Sequence, residues 1–297
     1  MTKSIEKIKS ETEKEFIFNV KDFDRVRDLI YKKAGISLAD SKQEMVYSRL
    51  ARRLRATGLT SFSVYLDNLE KVSAGLEWEA FTNALTTNLT SFFREAHHFP
   101  ILAEHVKNRK DPINVWCSAS STGEEPYSIA MTLCEVFGTL KPPIHIIATD
   151  IDTNVLATAS KGVYNIDRLD KMSPDRISRF FLRGKGDHEG MVRIRPELRE
   201  LVAFKQLNLL DDSWSLNGPF DAIFCRNVMI YFDKLTQGSI LKKFLPLMKQ
   251  DGLLFAGHSE NFLYVSEDFR LRGKTVYELA GSHTKHSRST SHYSIKG

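Results

Sequence analysis

A glycine-ended loop followed by two glutamates is the first part of the sequence whose residue types could bind a ligand. Residues 118–123 read SASSTG, and Glu124 and Glu125 follow directly. Small residues and Gly123 allow a ligand to approach the backbone closely, and two carboxylates favour a cationic ligand over a phosphate. The loop contains neither a GxGxxG pattern nor a Walker lysine, so it does not predict a nucleotide-phosphate site. Alternatively, both glutamates only stabilise the N-terminus of a helix, which we expect to begin near Ser128.

Three more side chains come directly after short apolar runs of the sequence. Asp150 is either the acceptor for two ribose hydroxyls or the N-cap of the next helix. Asn208 either reads the edge of an adenine, together with the backbone that follows it, or closes a turn. Tyr231 either stacks on a base or packs in the core. These residue types allow a nucleoside site and leave each alternative open.

A nucleoside-sized pocket with carboxylates and no phosphate site points to S-adenosylmethionine (SAM), which carries a positive sulfonium and no phosphate. The sequence has no compelling Ser/His/Asp or Cys/His arrangement, and we interpret His97 and His98 as helix or packing residues rather than as a base. Three cysteines, an odd number without a CxxC pair, predict neither a disulfide framework nor a Cys-based zinc site. We therefore expect no metal.

The candidate side chains can converge only if the apolar runs before them are neighbouring strands of one sheet. The runs alternate with helical sequence, which predicts an α/β fold with a parallel sheet covered on both faces. Its ligand would lie beyond the carboxyl ends of the strands. Between residues 161 and 200 the alternation stops, and Gly184, Gly186 and Gly190 predict an inserted subdomain with a hairpin. The expected strands are residues 113–117, 144–149, 202–207, 222–225, 253–256 and 276–279, with a further one at 269–271.

Residues 20–85 read as helices alone and predict a separate all-α domain. The helix expected at residues 41–55 has an apolar side, and another of its sides is basic. That basic side suits an acidic partner helix; alternatively, it is only a solvated face. It consists of Lys42, Arg49, Arg52 and Arg53. We expect polar, flexible tails at residues 1–18 and 281–297.

The composition is that of an ordinary soluble globular protein. The 297 residues are 42% hydrophobic and 27% charged, which argues against a disordered, fibrous or membrane-embedded chain. A net charge of +5 is too small to predict a nucleic-acid partner. The start of the chain lacks the apolar segment of a secretion signal, and no run approaches the length of a membrane span. We expect a cytoplasmic protein that does not insert into a membrane.

Five segments of the sequence resemble a known family, the bacterial chemotaxis receptor methyltransferases called CheR. The similarity extends from about residue 20 to residue 279, in the order expected for the family, and only the two tails fall outside it. The matching segments are TNLTSFFRE at 87–95, STGEEPYS at 121–128, ATDID at 148–152, FCRNVMIYFD at 224–233 and GHSENF at 257–262.

The resemblance implies a fold, a reaction and a set of site residues. The fold would be a helical domain over residues 19–87 and a Rossmann-like, class I SAM-dependent methyltransferase domain over 88–280, with a β-subdomain inserted at about 163–200. The reaction would convert receptor glutamates to γ-methyl esters and leave S-adenosylhomocysteine (SAH). Arg94 and Tyr231 would lie closest to the reacting atoms. The implied cofactor-binding residues are Asn88, Thr90, Arg94, Glu125, Asp150, Asn208, Leu209, Cys225 and Arg226.

The resemblance also implies how the substrate is bound. The basic helix would face the methylation region in the cytoplasmic domain of the receptor, with Lys42, Arg49, Arg52 and Arg53 as substrate-binding residues. Some members of the family bind the receptor's C-terminal tail peptide by adding a strand to the inserted subdomain, here around residues 178–195. Such a protein would be cytoplasmic and recruited to membrane receptor clusters.

Two alternative functions would use the same fold. Methyltransferases acting on exocyclic amines of bases commonly carry a D/N-P-P-Y/F motif after the fourth strand, and residues 226–229 contain no proline. This disfavours a nucleic-acid substrate. The other alternative is a non-catalytic cofactor sensor, but Arg94 and Tyr231 are both present, so nothing in the sequence suggests lost activity.

Overall fold

Helices around a shared apolar core form the N-terminal part of the protein. The computed structural model describes residues 14–72 and 74–281. Asn19 begins the first helix with a capping box, in which its side chain accepts from the Asp22 N–H and the Asp22 carboxylate accepts from the Asn19 N–H. Gly35 ends that helix in the left-handed conformation, with φ 68°. The helices are α1 (Val20–Ala34), α2 (Gln43–Thr57), α3 (Phe62–Glu70) and α4 (Leu76–Leu85).

The prediction of a flexible tail over residues 1–18 is wrong for residues 14–18. Phe16 is 8% exposed and packs into the helical core, and Glu15 forms an ion pair with Arg55. Burying this aromatic ring favours order, although polar residues precede it in the sequence. The rest of that predicted tail, and residues 282–297 of the C-terminal one, lie outside the described residues.

In the described chain after the N-terminal helices, seven strands form the main sheet, in the order β6-β2-β1-β7-β8-β10-β9. The strands in chain order are β1 (Ile113–Cys117), β2 (Ile144–Asp150), β3 (Val163–Asn165), β4 (Phe181–Arg183), β5 (Met191–Ile194), β6 (Val202–Gln206), β7 (Phe220–Cys225), β8 (Met248–Ala256), β9 (Phe269–Gly273) and β10 (Val276–Leu279). The remaining helices are α5 (His98–Val106), α6 (Glu124–Phe137), α7 (Thr153–Lys161), α8 (Pro174–Phe180), α9 (Pro196–Arg199) and α10 (Lys234–Phe244).

The sheet confirms the expected Rossmann-like fold and corrects two details. Strands β6, β2, β1, β7 and β8 are parallel, but β10 pairs antiparallel with β8 and with β9, so the sheet is not wholly parallel. Helix α6 begins at Glu124, one turn before the expected start near Ser128. Every residue of β7 is buried, because apolar side chains cover both faces of the sheet.

The inserted segment between α7 and β6 contains a small antiparallel sheet of its own. Its strand order is β3-β5-β4, so β4 is an edge strand. The inserted sheet packs against the main domain through buried side chains that include Tyr164 and Phe181, which both contact Phe92. Within the described residues, every helix is too short or too polar to cross a bilayer.

Candidate active site

The cleft that contains most of the predicted site residues lies at the carboxyl ends of β1, β2, β6 and β7. The strand order reverses between β1 and β7, so the loops after these strands diverge and leave space at the sheet edge. Ala34, Ile36 and Met45 of the N-terminal domain line the cleft as well. The space within it is about 1280 Å³ when the open solvent at its mouth is included. The predicted site residues that line it are Lys42, Asn88, Thr90, Arg94, Glu125, Asp150, Asn208, Leu209, Arg226 and Tyr231.

The loop after β1 lines the cleft with Ser118, Ala119 and Ser121 and ends in a glycine that packs where no side chain fits. Gly123 has φ 98°, and a Cβ added there would lie 2.8 Å from both the Ala159 Cβ and the Tyr164 hydroxyl. Ser121 has a positive φ of 47°, and its N–H donates to the Asp150 carboxylate at 2.8 Å. These contacts fix the loop to the end of β2.

Asp150 ends β2 and is the carboxylate best placed for a ribose. It is 8% exposed, and its two oxygens accept the Ser121 N–H at 2.8 Å and the Asp152 N–H at 3.0 Å. The N-cap of α7 is Asp152, whose side chain accepts from the Asn154 N–H, so the alternative of Asp150 as N-cap is wrong. Burial raises the pKa of Asp150 to about 6, because removal from water disfavours the charged form.

The two glutamates after Gly123 do not act together as a site for a cation. Both lie in the first turn of α6, but Glu124 is fully buried outside the cleft and pairs with Arg168 of the inserted segment. Glu125 lines the cleft and pairs with Arg226. An unpaired buried carboxylate would be costly, and an arginine offsets the charge of each one. The expectation that the two carboxylates together favour a cationic ligand is wrong, because an arginine already pairs with each of them.

Arg226 joins the loop after β7 to the segment before α5. Its buried guanidinium contacts Glu125, the carbonyl oxygen of Arg94 and, at 3.4 Å, the carboxylate of Glu95. Cys225, predicted beside it as a cofactor residue, is fully buried at the end of β7 and does not line the cleft. Only the backbone of Cys225 could therefore contact a cofactor.

The segment before α5 presents an arginine with unused hydrogen-bonding capacity. The Asn88 side-chain amide donates to the Asp152 carboxylate at 2.8 Å, which fixes that end of the segment. Arg94 donates once, to the carbonyl oxygen of Leu89 at 2.8 Å, and no carboxylate among the described residues pairs with its guanidinium. A guanidinium of this kind can bind a carboxylate of a ligand with two parallel hydrogen bonds.

Asn208 closes a turn, as one of the two interpretations of the sequence expected. Its side-chain oxygen accepts from the Leu210 N–H at 3.0 Å, and its amide donates to the carbonyl oxygen of Lys33 at 2.9 Å. Both side-chain groups thus have partners already. The next residue, Leu209, lines the cleft, and its N–H has no hydrogen-bond partner in the described part of the chain. The backbone of Leu209 is the better candidate for an adenine contact.

Tyr231 lies at the end of a short 3-10 turn, Met229–Tyr231, and its partly exposed ring lines the cleft. Its carbonyl oxygen accepts from the Ser37 N–H at 2.9 Å, which connects the catalytic domain to the segment between α1 and α2. Its hydroxyl has no hydrogen-bond partner within residues 14–72 and 74–281. The ring is therefore not a core residue, and it is available for positioning a ligand.

The predicted basic side of α2 is only partly available for a substrate. Arg49 donates to carbonyl oxygens at the end of α4, and Arg53 binds Glu77 with two hydrogen bonds of 2.7 and 3.1 Å. These two arginines hold α2 against α4, so the expectation of one free basic side is wrong for them. Lys42 and Arg52 are exposed, and neither has an ion-pair partner among the residues that the structure describes.

No histidine lines the cleft in the described structure. His98 is buried, with its Nε2 atom 2.9 Å from the carbonyl oxygen of Lys274. Burial and the nearby charge of Arg226 lower the pKa of His98 to about 4. The interpretation of His98 as a packing residue is confirmed. In the same described residues, no three His, Cys, Asp or Glu side chains form a group that could hold a metal ion.

Sequence reasoning assigned no role to two residues that shape the cleft. Arg168 donates to the carbonyl oxygen of Thr90 at 2.9 Å and thereby connects the inserted segment to a residue of the cleft. Glu260 binds the backbone of the loop before Tyr231. Glu260 lies in the segment GHSENF, which resembles the CheR family, and this segment is the sequence signal for it. No sequence pattern singles out Arg168.

Comparison with known families decides the family of this chain. The family model "CheR methyltransferase, all-alpha domain" matches residues 21–86, and the model "CheR methyltransferase, SAM binding domain" matches residues 88–278. The chain belongs to the CheR family. It is a methyltransferase that uses SAM, and the resemblance stated from the sequence is confirmed.

Curated CheR relatives match the chain over most of its length. A chemotaxis protein methyltransferase of Salmonella typhimurium is 57% identical over 87% of this chain and 90% of its own length. Its counterpart in Escherichia coli is also 57% identical, with the same coverage. Chemotaxis protein methyltransferase 2 of Pseudomonas aeruginosa is 52% identical over 90% of this chain and 95% of its own.

The CheR cleft fits SAM by the chemistry of its donors and acceptors. Asp150 offers carboxylate oxygens at the end of β2, where sheets of this kind bind ribose hydroxyls. Leu209 offers a backbone N–H without a partner among the described residues, and Arg94 offers a guanidinium that no described carboxylate neutralises. These groups suit a ribose, a base edge and a carboxylate.

Proposed function

We propose that this protein transfers the methyl group of SAM to glutamate side chains of chemotaxis receptors, giving glutamate γ-methyl esters and SAH. When bound, SAM supplies an electrophilic methyl carbon on a sulfonium leaving group. A glutamate carboxylate, with an ordinary pKa of about 4.3, is already ionised at neutral pH. The residues of the cleft therefore have to place and orient two groups, and none of them has to remove a proton.

The observation that carries this proposal is that Asp150 and Arg94 line the same cleft. Asp150 would accept hydrogen bonds from the ribose, and the Leu209 backbone would contact the adenine. Arg94 would bind a carboxylate, either that of the receptor glutamate or that of the methionyl part of SAM, and Tyr231 would position the reacting groups. The other proposed cofactor-binding residues are Asn88, Thr90, Glu125, Asn208, Cys225 and Arg226.

Placement of the two reacting groups accounts for a large part of the rate acceleration in such a reaction. Fixing an attacking oxygen about 3–3.5 Å from the methyl carbon is worth up to about 7–11 kcal/mol relative to free reactants. Apolar residues that line the cleft, including Ile36, Leu38 and Met45, would reduce the hydration of a bound substrate carboxylate. A less hydrated carboxylate is a better nucleophile.

The test supplies SAM labelled in its methyl group to chemoreceptor membranes with the purified protein. A carboxyl ester releases labelled methanol under mild alkali, whereas an N-methylated product does not. We expect protein-bound label that is converted to volatile methanol. Label that resists mild alkali would contradict ester formation.

The Arg94→Ala variant tests the site within the same assay. Arg94 makes one hydrogen bond to a backbone carbonyl and no ion pair among the described residues, so its removal should leave the fold intact. We expect a loss of about 100-fold or more in turnover, the range for a group that orients reactants. The Arg94→Lys variant is the matched control, because it keeps the charge and loses the planar pair of donors. Near-normal turnover in Arg94→Ala, with an unchanged melting temperature, would exclude Arg94 from the site.

Receptor binding would use two further surfaces. Lys42 and Arg52, which are exposed and have no ion-pair partner among the described residues, would face an acidic segment of the receptor. The exposed edge of β4 would bind the receptor's C-terminal tail peptide as an added strand, and this would recruit the cytoplasmic protein to membrane receptor clusters. The support is the position of β4 at the edge of its sheet, where backbone groups remain available.

The β4 proposal can be tested without deleting the inserted segment. The Gly184 N–H donates to the Met191 carbonyl oxygen, and the Arg195 N–H donates to the Phe180 carbonyl oxygen. Because hydrogen-bonded pairs alternate along an antiparallel ladder, the N–H of Arg183 points away from β5. An Arg183→Pro substitution removes that outward donor, and Arg183→Ala is the control for the side chain. We expect only the proline variant to lose binding of the tail peptide in calorimetry. Equal affinity in all three proteins would contradict strand addition at this edge.

A further inference from the structure

Glu260 has an unusual set of hydrogen-bond partners for a buried carboxylate. It is 4% exposed, and it accepts four backbone N–H groups. One oxygen accepts from Asn227 and Gly257, and the other accepts from Val228 and Met229, at distances of 2.5 to 2.9 Å. No cationic side chain of the described residues pairs with it. The four N–H groups are what stabilises the charge.

These N–H groups belong to two loops that meet at the active site. Three of them come from the loop after β7, between Arg226 and Tyr231, and the fourth comes from Gly257, directly after β8. The backbone at Asn227 needs support, because this non-glycine residue has φ 57°, in the left-handed region. The carboxylate therefore fixes a strained loop that has a cleft-lining residue at each end.

The contact between the two loops leaves no space for adjustment. A Cβ added at Gly257 would lie 2.4 Å from the side-chain nitrogen of Asn227 and 2.8 Å from the nearer oxygen of Glu260. On its other side, the Asn227 amide donates to Glu95 at 3.2 Å. The loop after β7 is thus held between Glu260 and the segment before α5.

We propose that Glu260 is a positioning residue, which sets the places of Arg226 and Tyr231 by binding the backbone between them. It lines no part of the cleft itself, so it acts through these two residues. The inference rests on the proposed roles of Arg226 and Tyr231 in the methyl transfer.

The carboxylate cannot be replaced by an amide of the same shape. Glutamine has one acceptor oxygen, and its NH₂ group would face two of the four N–H donors. Those donors would lose their partners and be repelled, so the loop would leave its position while the rest of the fold could remain. Glu260→Gln therefore removes hydrogen-bond acceptors without changing the size of the side chain.

The test measures SAH binding by calorimetry and receptor methylation for the wild type and Glu260→Gln. We expect the dissociation constant for SAH to rise about tenfold or more, with a stoichiometry that stays at one site, and kcat to fall by a similar factor. If Glu260→Gln does not fold, Gly257→Ala replaces it, because its Cβ forces the same two loops apart, and the same changes are expected.

Asp221→Asn provides the control for loss of a buried carboxylate. Asp221 is fully buried at the other end of β7, where it pairs with Arg109 and Lys249 and accepts from the Asn114 N–H. We expect a lower melting temperature but an SAH dissociation constant within about twofold of the wild type. Equal weakening in both variants, or unchanged binding and kcat in Glu260→Gln, would overturn the proposal. Failure of the wild type to methylate receptors would instead contradict the proposed function.

Discussion

Asp150 is a buried carboxylate in the cleft, and its protonation should control cofactor affinity. Burial raises its pKa to about 6, and a ribose that donates two hydrogen bonds favours the ionised form over the protonated one. We expect the dissociation constant for SAH to decrease as the pH rises from about 5 to about 7, as Asp150 ionises. Calorimetry across this range measures the effect.

The Asp150→Asn variant shows whether that pH dependence belongs to Asp150. It cannot ionise, so we expect weaker binding with little change over the same range. The sign for folding is opposite: because the folded pKa lies above an unfolded value of about 3.9, this group's stabilising contribution is present below about pH 4 and lost as the pH rises through about 6. An unaltered pH profile in the variant would assign the effect to another group.

Residue types could be predicted from the sequence, but their pairing could not. The sequence identified Glu125 and Arg226 as separate candidates, and they are 101 positions apart. Their ion pair depends on the order of β1 and β7 in the sheet, which no local pattern encodes. The same limit led to the expectation that Arg53 is available for a substrate, whereas Glu77 binds it.

At the scale of elements, the two ends of α6 allow a matched test of the loop after β1, residues 118–123. Gly123 precedes the helix and Gly138 follows it, both with positive φ, of 98° and 66°. A Cβ at Gly138 would meet nothing within 4 Å, whereas one at Gly123 would meet Ala159 and Tyr164 at 2.8 Å. We expect Gly138→Ala to cost about 1–2 kcal/mol of unfolding free energy, the cost of a left-handed backbone at a non-glycine residue, with normal SAH binding. Gly123→Ala should cost more, about 2–4 kcal/mol, and should weaken SAH binding.

Chemical denaturation and calorimetry on both variants separate backbone strain from steric conflict. Equal losses of stability together with equal SAH affinity would mean that the loop tolerates the added methyl group. The cleft would then not depend on close packing behind Gly123.

Elements were predictable where local sequence determines them. The parallel strands read as apolar runs because both of their faces are buried, and β1 lies at its expected residues. The expected start of α6 near Ser128 lies one turn too late, because Glu124, Glu125 and Pro126 also suit a loop; glutamates and proline are common in a first helical turn. The antiparallel direction of β10 is set by how the chain returns to the sheet after β9, and the residue types of β10 do not indicate it.

At the scale of the whole molecule, the helical domain is part of the cleft. The sequence separated two domains but gave no sign that the segment after α1 would meet the catalytic loop. Gly35 lies so close to the Leu210 and Phe232 side chains that a Cβ there would be 3.0 Å from each, and the Ser37 N–H binds the Tyr231 carbonyl oxygen. A receptor segment bound to α2 would therefore lie next to the reacting groups.

This arrangement predicts that salt affects the two ligands of the protein differently. Lys42 and Arg52 are exposed cations without ion-pair partners in the described structure. They would attract an acidic receptor segment across solvent, and dissolved salt screens such an attraction. Raising the salt from about 50 to about 300 mM should lower kcat/KM for receptor several-fold and change SAH affinity by less than about twofold. Arg52→Glu should lower kcat/KM further and weaken its salt dependence. Arg272→Glu makes the same charge change on the exposed edge strand β9 and should behave as the wild type. Equal effects of both substitutions would mean that total charge, and not the α2 surface, attracts the receptor.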